Sequence, residues 1–169
     1  MRHVSLIRAA GLLLSVSMAV PVAAQQPAAS SPPAAQPPAP RITLVDAKRA
    51  VDAAEAEAVK NNWKLAFVIT DAEGTPIYVR RMDGVPTRNY DIAMRKTLTA
   101  IKSGMHTVEY AAALQAGKIQ PIENAVTFDG GLLLRREGAV IGAFSASGAR
   151  GVEDAQAVKA GMAAIGLQP

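Results

Sequence analysis

Beyond the first few residues the chain has a single histidine, His106, set between Met105 and Thr107, and it contains no cysteine. A lone imidazole can give one neutral nitrogen to a metal, or it can simply pack and hydrogen-bond beside a helix start. It cannot organise structural zinc, which needs about four Cys or His ligands. Without thiols there is no thiol nucleophile, iron–sulfur ligation or thiolate ligation. Arg81-Met82-Asp83-Gly84 forms a second patch, where a strand is expected to end and the backbone to turn at Gly84. The Arg81 guanidinium can grip a carboxylate through two parallel hydrogen bonds, or it can pair with Asp83, Asp91 or Glu153. Arg95 and Lys96, about a helical turn downstream of Tyr90, can add positive charge to the same mouth. The stretch Ser145–Gly151 (SASGARG) runs into a helix, where backbone N–H groups and the hydroxyls of Ser145 and Ser147 suit an anion. Glu153 and Asp154 in the first turn equally suit a capped helix start.

Catalysis finds little in these residues. No Ser–His–Asp spacing is recognisable. Asp71, Asp83 and Asp129 sit in turns, which favour Asp for backbone reasons. No residue is therefore assigned a catalytic role. Neither G-x-G-x-x-G nor G-x-x-x-x-G-K-[ST] occurs, and this disfavours nucleotide-binding folds.

The elements that must position these groups follow from the pattern of apolar residues. Thr43 is a helix cap, and Leu44, Ala47, Val51, Ala54 and Ala58 recur at helical steps up to Asn61-Asn62. Leu65–Thr70 and Ile77–Met82 flank Asp71-Ala72-Glu73-Gly74 as a hairpin, with Pro76 at the strand start or an edge. Thr87 or Asn89 caps a second helix that Gly104 ends, and Thr107 caps a third that runs to Ala116. Ile119–Phe128 reads as irregular or as a short strand. Leu132–Arg136 and Ala139–Ser145 flank Glu137-Gly138 as a second hairpin, and Val152–Ile165 is the last helix. Helices grouped outside hairpin-linked strands predict an α+β domain with an antiparallel sheet.

The N-terminus predicts a destination. Arg2 and Arg8 precede and flank an apolar run from Ala9 to Val20, and Val22-Ala23-Ala24 supplies small residues for cleavage. Residues 1–24 therefore read as a signal peptide, with a retained anchor as the alternative. Residues 25–40 (QQPAASSPPAAQPPAP) form an uncharged Pro/Ala-rich linker that cannot build a core, and residues 41–169 form one domain. Arg2 and Arg8 leave with the signal and no acid does, so the net charge of +4 falls to +2. No dense basic stripe interleaved with aromatics remains, so a nucleic-acid partner is not expected. A periplasmic or secreted protein with no membrane span after signal removal is expected.

Several segments also occur together in a known order. They are Val68-Ile69-Thr70-Asp71 with Gly74, then Arg81-Met82-Asp83-Gly84, then Ala93, Lys96 and Thr99-Ala100. Gly130-Gly131, Gly138, Ile141-Gly142-Ala143, Ser147-Gly148 and Glu153-Asp154 follow. Across about Thr43 to Gly161 the chain resembles the GlcG/HbpS-like family of haem-binding or haem-degrading domain proteins. The resemblance implies a profilin-like fold, a five-stranded antiparallel sheet flanked by helices and assembled as a homo-oligomer. It implies haem or a related tetrapyrrole as cofactor. Arg81, Lys96 and Ser147 would then stand near its carboxylates, with Asp83 beside Arg81, and His106, Met82 or Tyr90 near its iron; Met82 equally fills core space. Among metal ligands His106 is the candidate. Phe144-Ser145-Ala146-Ser147 departs from the family, which has a glycine–hydrophobic pair before Ser-Gly, and Ser145 could hinder close backbone approach. The leading expectation is an exported binding protein for haem or another small carboxylate-bearing ligand. An enzyme acting on a small organic acid or on haem, and an oligomeric structural or sensory module of the envelope, are the alternatives.

Overall fold

The computed structural model describes residues 40–169. The predicted signal peptide and almost all of the predicted linker lie outside the described residues. Thr43 caps α1 (Leu44–Lys60) as expected, its hydroxyl accepting from the Asp46 N–H at 3.0 Å. β1 (Ala66–Thr70) and β2 (Pro76–Arg81) form the first hairpin, with Pro76 opening the edge strand, where its missing N–H costs no ladder bond. α2 (Thr87–Ser103) and α3 (Thr107–Gln115) follow, then β3 (Gly131–Arg136), β4 (Ala139–Ser147) and α4 (Gly151–Ala164).

The predicted α+β class stands, with one correction to the sheet. Four strands form it, in the order β2-β1-β4-β3 with every pair antiparallel, where five were expected. Residues 119–128, the place for a further strand, are irregular. Pro121 has no N–H to pair, and Asn124 sits at a φ of 60°. The Ile122 N–H donates to Tyr110 Oη (2.9 Å) and the Val126 N–H to Thr99 Oγ1 (3.0 Å). Arg95 donates to the carbonyls of Asn124 and Ala125. Helix side chains have taken the backbone groups that a strand would use.

Two helix starts also differ from expectation. Pro86, not Thr87 or Asn89, is the N-cap residue of α2, and His106, not Thr107, is that of α3. Thr107 has a different task, accepting from the Gly131 N–H at 3.1 Å.

Alternation along the strands assigns the two faces. Phe67, Ile69, Leu132, Leu134 and Phe144 point to the side of α1 and α4, where the main core lies. On the same side Arg80 reaches Asp52 (2.7 Å) and Glu55 (2.6 Å) of α1. The other face meets α2 through Val68, Ala143 and Ser145, all fully buried. Ser145 donates its hydroxyl to Ala93 O at 2.7 Å. That side chain stitches sheet to helix from inside the fold, so it obstructs no loop. Among the described residues no helix is long and apolar enough to cross a membrane.

Candidate functional site

Where β4 leaves the sheet, a charged pair lies almost completely out of water. Lys96 is on the sheet-facing side of α2 together with Ala93 and Ala100, and Asp154 is in the first turn of α4; they are 1% and 2% exposed. Lys96 Nζ donates to Asp154 Oδ2 at 2.7 Å and to Ala146 O at 2.8 Å. The other carboxylate oxygen of Asp154 accepts from the Ala149 N–H at 3.1 Å. Burial pushes the Lys96 ammonium down and the Asp154 carboxyl up from their ordinary pKa values, against the attraction each exerts on the other. Gly130-Gly131 wraps the pair so closely that a Cβ on Gly130 would sit 2.6 Å from Asp154 Cβ and 2.9 Å from Lys96 Nζ. Gly130 also adopts a φ of 102°, so a glycine is required there twice over.

Above this pair an open groove of about 340 Å³ runs between the start of α2 and the start of α4. Arg88, Asn89 and Ile92 form one wall, Phe128 and Ser147-Gly148 the other, and Lys96 with Asp154 the floor. Phe128 is 60% exposed, so its ring presents apolar surface at the side of the groove. Arg88 takes part in no ion pair among the described residues. The α4 start is already satisfied: Glu153 accepts from the Arg150 N–H at 3.0 Å and also pairs with its guanidinium at 2.6 Å. The positive character of the groove therefore comes from Arg88. A larger concavity of about 580 Å³ lies at the opposite end, with Asp71 and Glu73 in its lining and no predicted site residue. Its two carboxylates outnumber its one cation, Arg41, so it suits an anionic ligand less and is the weaker candidate.

The predicted residues are only partly brought together. Lys96 and Ser147 line the groove. Arg81 lies at the same end of the sheet, but makes none of the ion pairs expected for it. Its Nη1 donates to Val85 O (2.9 Å) and Thr87 Oγ1 (3.3 Å), holding the loop from which α2 starts. Met82 is buried, with its sulfur accepting from the Leu65 N–H at 3.3 Å. Asp83 is exposed in its turn, and Tyr90 is half-buried against the main core.

His106 stands apart. Its Nδ1 accepts from the Leu133 N–H at 3.0 Å, on the free side of β3. Across three strand spacings of about 4.8 Å and four residues of about 3.3 Å, Arg81 and Leu133 are roughly 19 Å apart, and His106 lies beyond Leu133 on the opposite edge of the sheet. No single site spans both. A neutral imidazole accepting at Nδ1 carries its proton on Nε2, so in this arrangement His106 has no lone pair left for a metal. Among the described residues no three or more His, Asp or Glu side chains are grouped to hold a metal ion.

Sequence reasoning missed Arg88 and Phe128, which carry no local signal. Asp154 was visible only as a first-turn acid and as part of the resemblance.

Residues 42–163 match the family described as haem degrading protein HbpS-like. The chain belongs to the HbpS-like family. Its fold is similar to that of PduOC in a crystal structure of the PduOC:haem complex, with a TM-score of 0.70 and 26% identity, covering 75% of this chain and 96% of that one. It is also similar to a double mutant of HbpS from Streptomyces reticuli, with a TM-score of 0.68 and 30% identity, covering 80% and 97%. An uncharacterized 15.0 kDa protein from the dhaT-dhaS intergenic region of Citrobacter freundii is 34% identical over 113 residues, which are 63% of this chain and 80% of that protein.

Proposed function

We propose that this HbpS-like chain is an exported binding protein for haem or a related tetrapyrrole, and that the groove between α2 and α4 receives the ligand's carboxylate edge. The observation that carries this reading is a concave, cationic and partly apolar groove in a chain related to a protein crystallised with haem. Arg88 supplies the bidentate grip that a propionate needs. Ile92 and Phe128 offer apolar surface to the ring edge, and Asn89 and Ser147 supply neutral hydrogen-bonding groups. The Lys96–Asp154 pair is the rigid floor, and Arg81 positions the loop that launches Arg88. When bound, haem would supply a redox-active iron.

The residues fit the acidic edge of such a ligand, and they offer its iron little. Export by a cleaved segment 1–24, a 25–40 tether, a profilin-like description of the four-stranded domain and assembly as a homo-oligomer belong to the same reading. Hemin titration of the purified protein tests it. A saturable, shifted Soret band is expected, and Arg88→Glu should weaken binding at least about tenfold, since a hydrogen bond to a charged group contributes about 1.5–3 kcal/mol. An unchanged hemin spectrum at saturating protein would overturn it.

The family's description supports a second reading, degradation of haem. Bleaching of bound haem with a reductant, faster than that of free hemin, would favour it over a carrier or sensor accessory.

A further inference from the structure

The groove provides groups for carboxylates and for a ring edge, and no free carboxylate, imidazole, thioether or phenol to hold a metal. Asn89 and Ser147 offer only neutral, weak ligands, and Arg88 and Lys96 are cations. Asp154 holds the one carboxylate in the lining, and both of its oxygens are engaged, by Lys96 and by the Ala149 N–H. The three side chains expected near the iron lie elsewhere. His106 spends its Nδ1 lone pair on Leu133, Met82 is buried with its sulfur bound to the Leu65 N–H, and Tyr90 packs against the main core. With carboxylates held at Arg88, no lining group with strong ligand chemistry is left free to reach the metal at the ring centre.

We infer that the groove recognises a tetrapyrrole by its carboxylates and ring edge independently of the central metal, so that metal-free porphyrin dicarboxylates are ligands on a par with haem. The inference rests on the tetrapyrrole reading above and deepens it. It makes Arg88 the specificity residue and takes His106 out of the binding site.

The test is a set of parallel titrations of the full-length protein with hemin, with metal-free protoporphyrin IX and with the dimethyl ester of that porphyrin. Hemin and protoporphyrin are expected to bind within about threefold of one another, a difference below about 0.7 kcal/mol. The ester, which lacks both carboxylates, should bind at least about tenfold more weakly, and Arg88→Glu should weaken both acids by a similar factor. His106→Gln, whose amide oxygen can still accept from Leu133, should leave the hemin Soret position and both affinities unchanged. Hemin bound more than about thirtyfold tighter than protoporphyrin, or a Soret band moved by His106→Gln, would overturn the metal-independence while leaving haem binding intact. Failure of both acids to bind would overturn that reading and the inference together.

Discussion

At the scale of single residues, Lys96 and Asp154 are the groups on which most depends. Moving two charges out of water is costly, and mutual attraction repays it only with good geometry and every remaining hydrogen bond made. Here the 2.7 Å contact, the Ala146 carbonyl and the Ala149 N–H meet much of that demand. Lys96→Met should therefore destabilise the fold by about 3–5 kcal/mol, because it strands a buried carboxylate. Asp154, already pushed up by burial, would rise further in that variant. The folded state would then hold a proton at pH values where the unfolded chain has released it. Stability of Lys96→Met should accordingly increase as pH falls through the raised Asp154 pKa and decline again as pH rises, and urea melts across the acid range would show it. Adding Asp154→Leu should recover much of the loss, and a double mutant no more stable than the single one would contradict this account. Lys96 and Asp154 both stand among the residues of the resemblance, but nothing in the sequence pairs them, since 58 residues of chain separate them. The same limit applied to His106: its ambiguity in the sequence ended only when the Leu133 amide was found against it.

At the scale of elements, the two edges of the sheet are treated differently. The β3 edge is closed by the α3 start, with Thr107 and His106 accepting from Gly131 and Leu133 while Arg135 donates to Gly104 O. Side chains occupy N–H groups that another strand could otherwise pair with. Helix packing behind the sheet depends on one small residue. A Cβ on Gly161 of α4 would lie 2.4 Å from Ala50 O of α1 and 2.6 Å from Phe144 Cε1. An alanine in a helix interior normally gains about 1 kcal/mol over glycine, but overpacking costs about 1–3 kcal/mol, and the obstructing atom here is backbone. Gly161→Ala should thus lower stability, by up to about 2 kcal/mol, seen as a reduced urea midpoint with an unchanged slope; a raised midpoint would show that α1 and α4 can part at little cost. Residues 119–128 teach the complementary lesson. Their apolar character left a strand possible, and the competition for their N–H groups was won by Tyr110 and Thr99 from other elements.

At the scale of the whole molecule, the core is drawn from α1 through the C-terminal Leu167, and Ile42 is already 4% exposed. A fragment of residues 41–169 should therefore unfold in one cooperative transition with the same midpoint as the longer chain lacking only residues 1–24. A lower midpoint would mean that the Pro/Ala-rich stretch adds stability to the domain.

Much of this molecule is determined by its sequence alone. The apolar periods and turn residues specify where helices and strands lie, because local backbone preference and one-sided burial act within a few neighbours. Strand count, the starts of α2 and α3 and the site were decided by tertiary structure. Arg88, Phe128 and Ser147 share a groove only because α2, the loop before β3 and the end of β4 converge at one end of the sheet. Arg81 and His106 are held at opposite edges of the sheet by the strand order. Proximity between distant segments depends on packing and hydrogen-bond competition across the whole fold, and no stretch of sequence carries that information by itself.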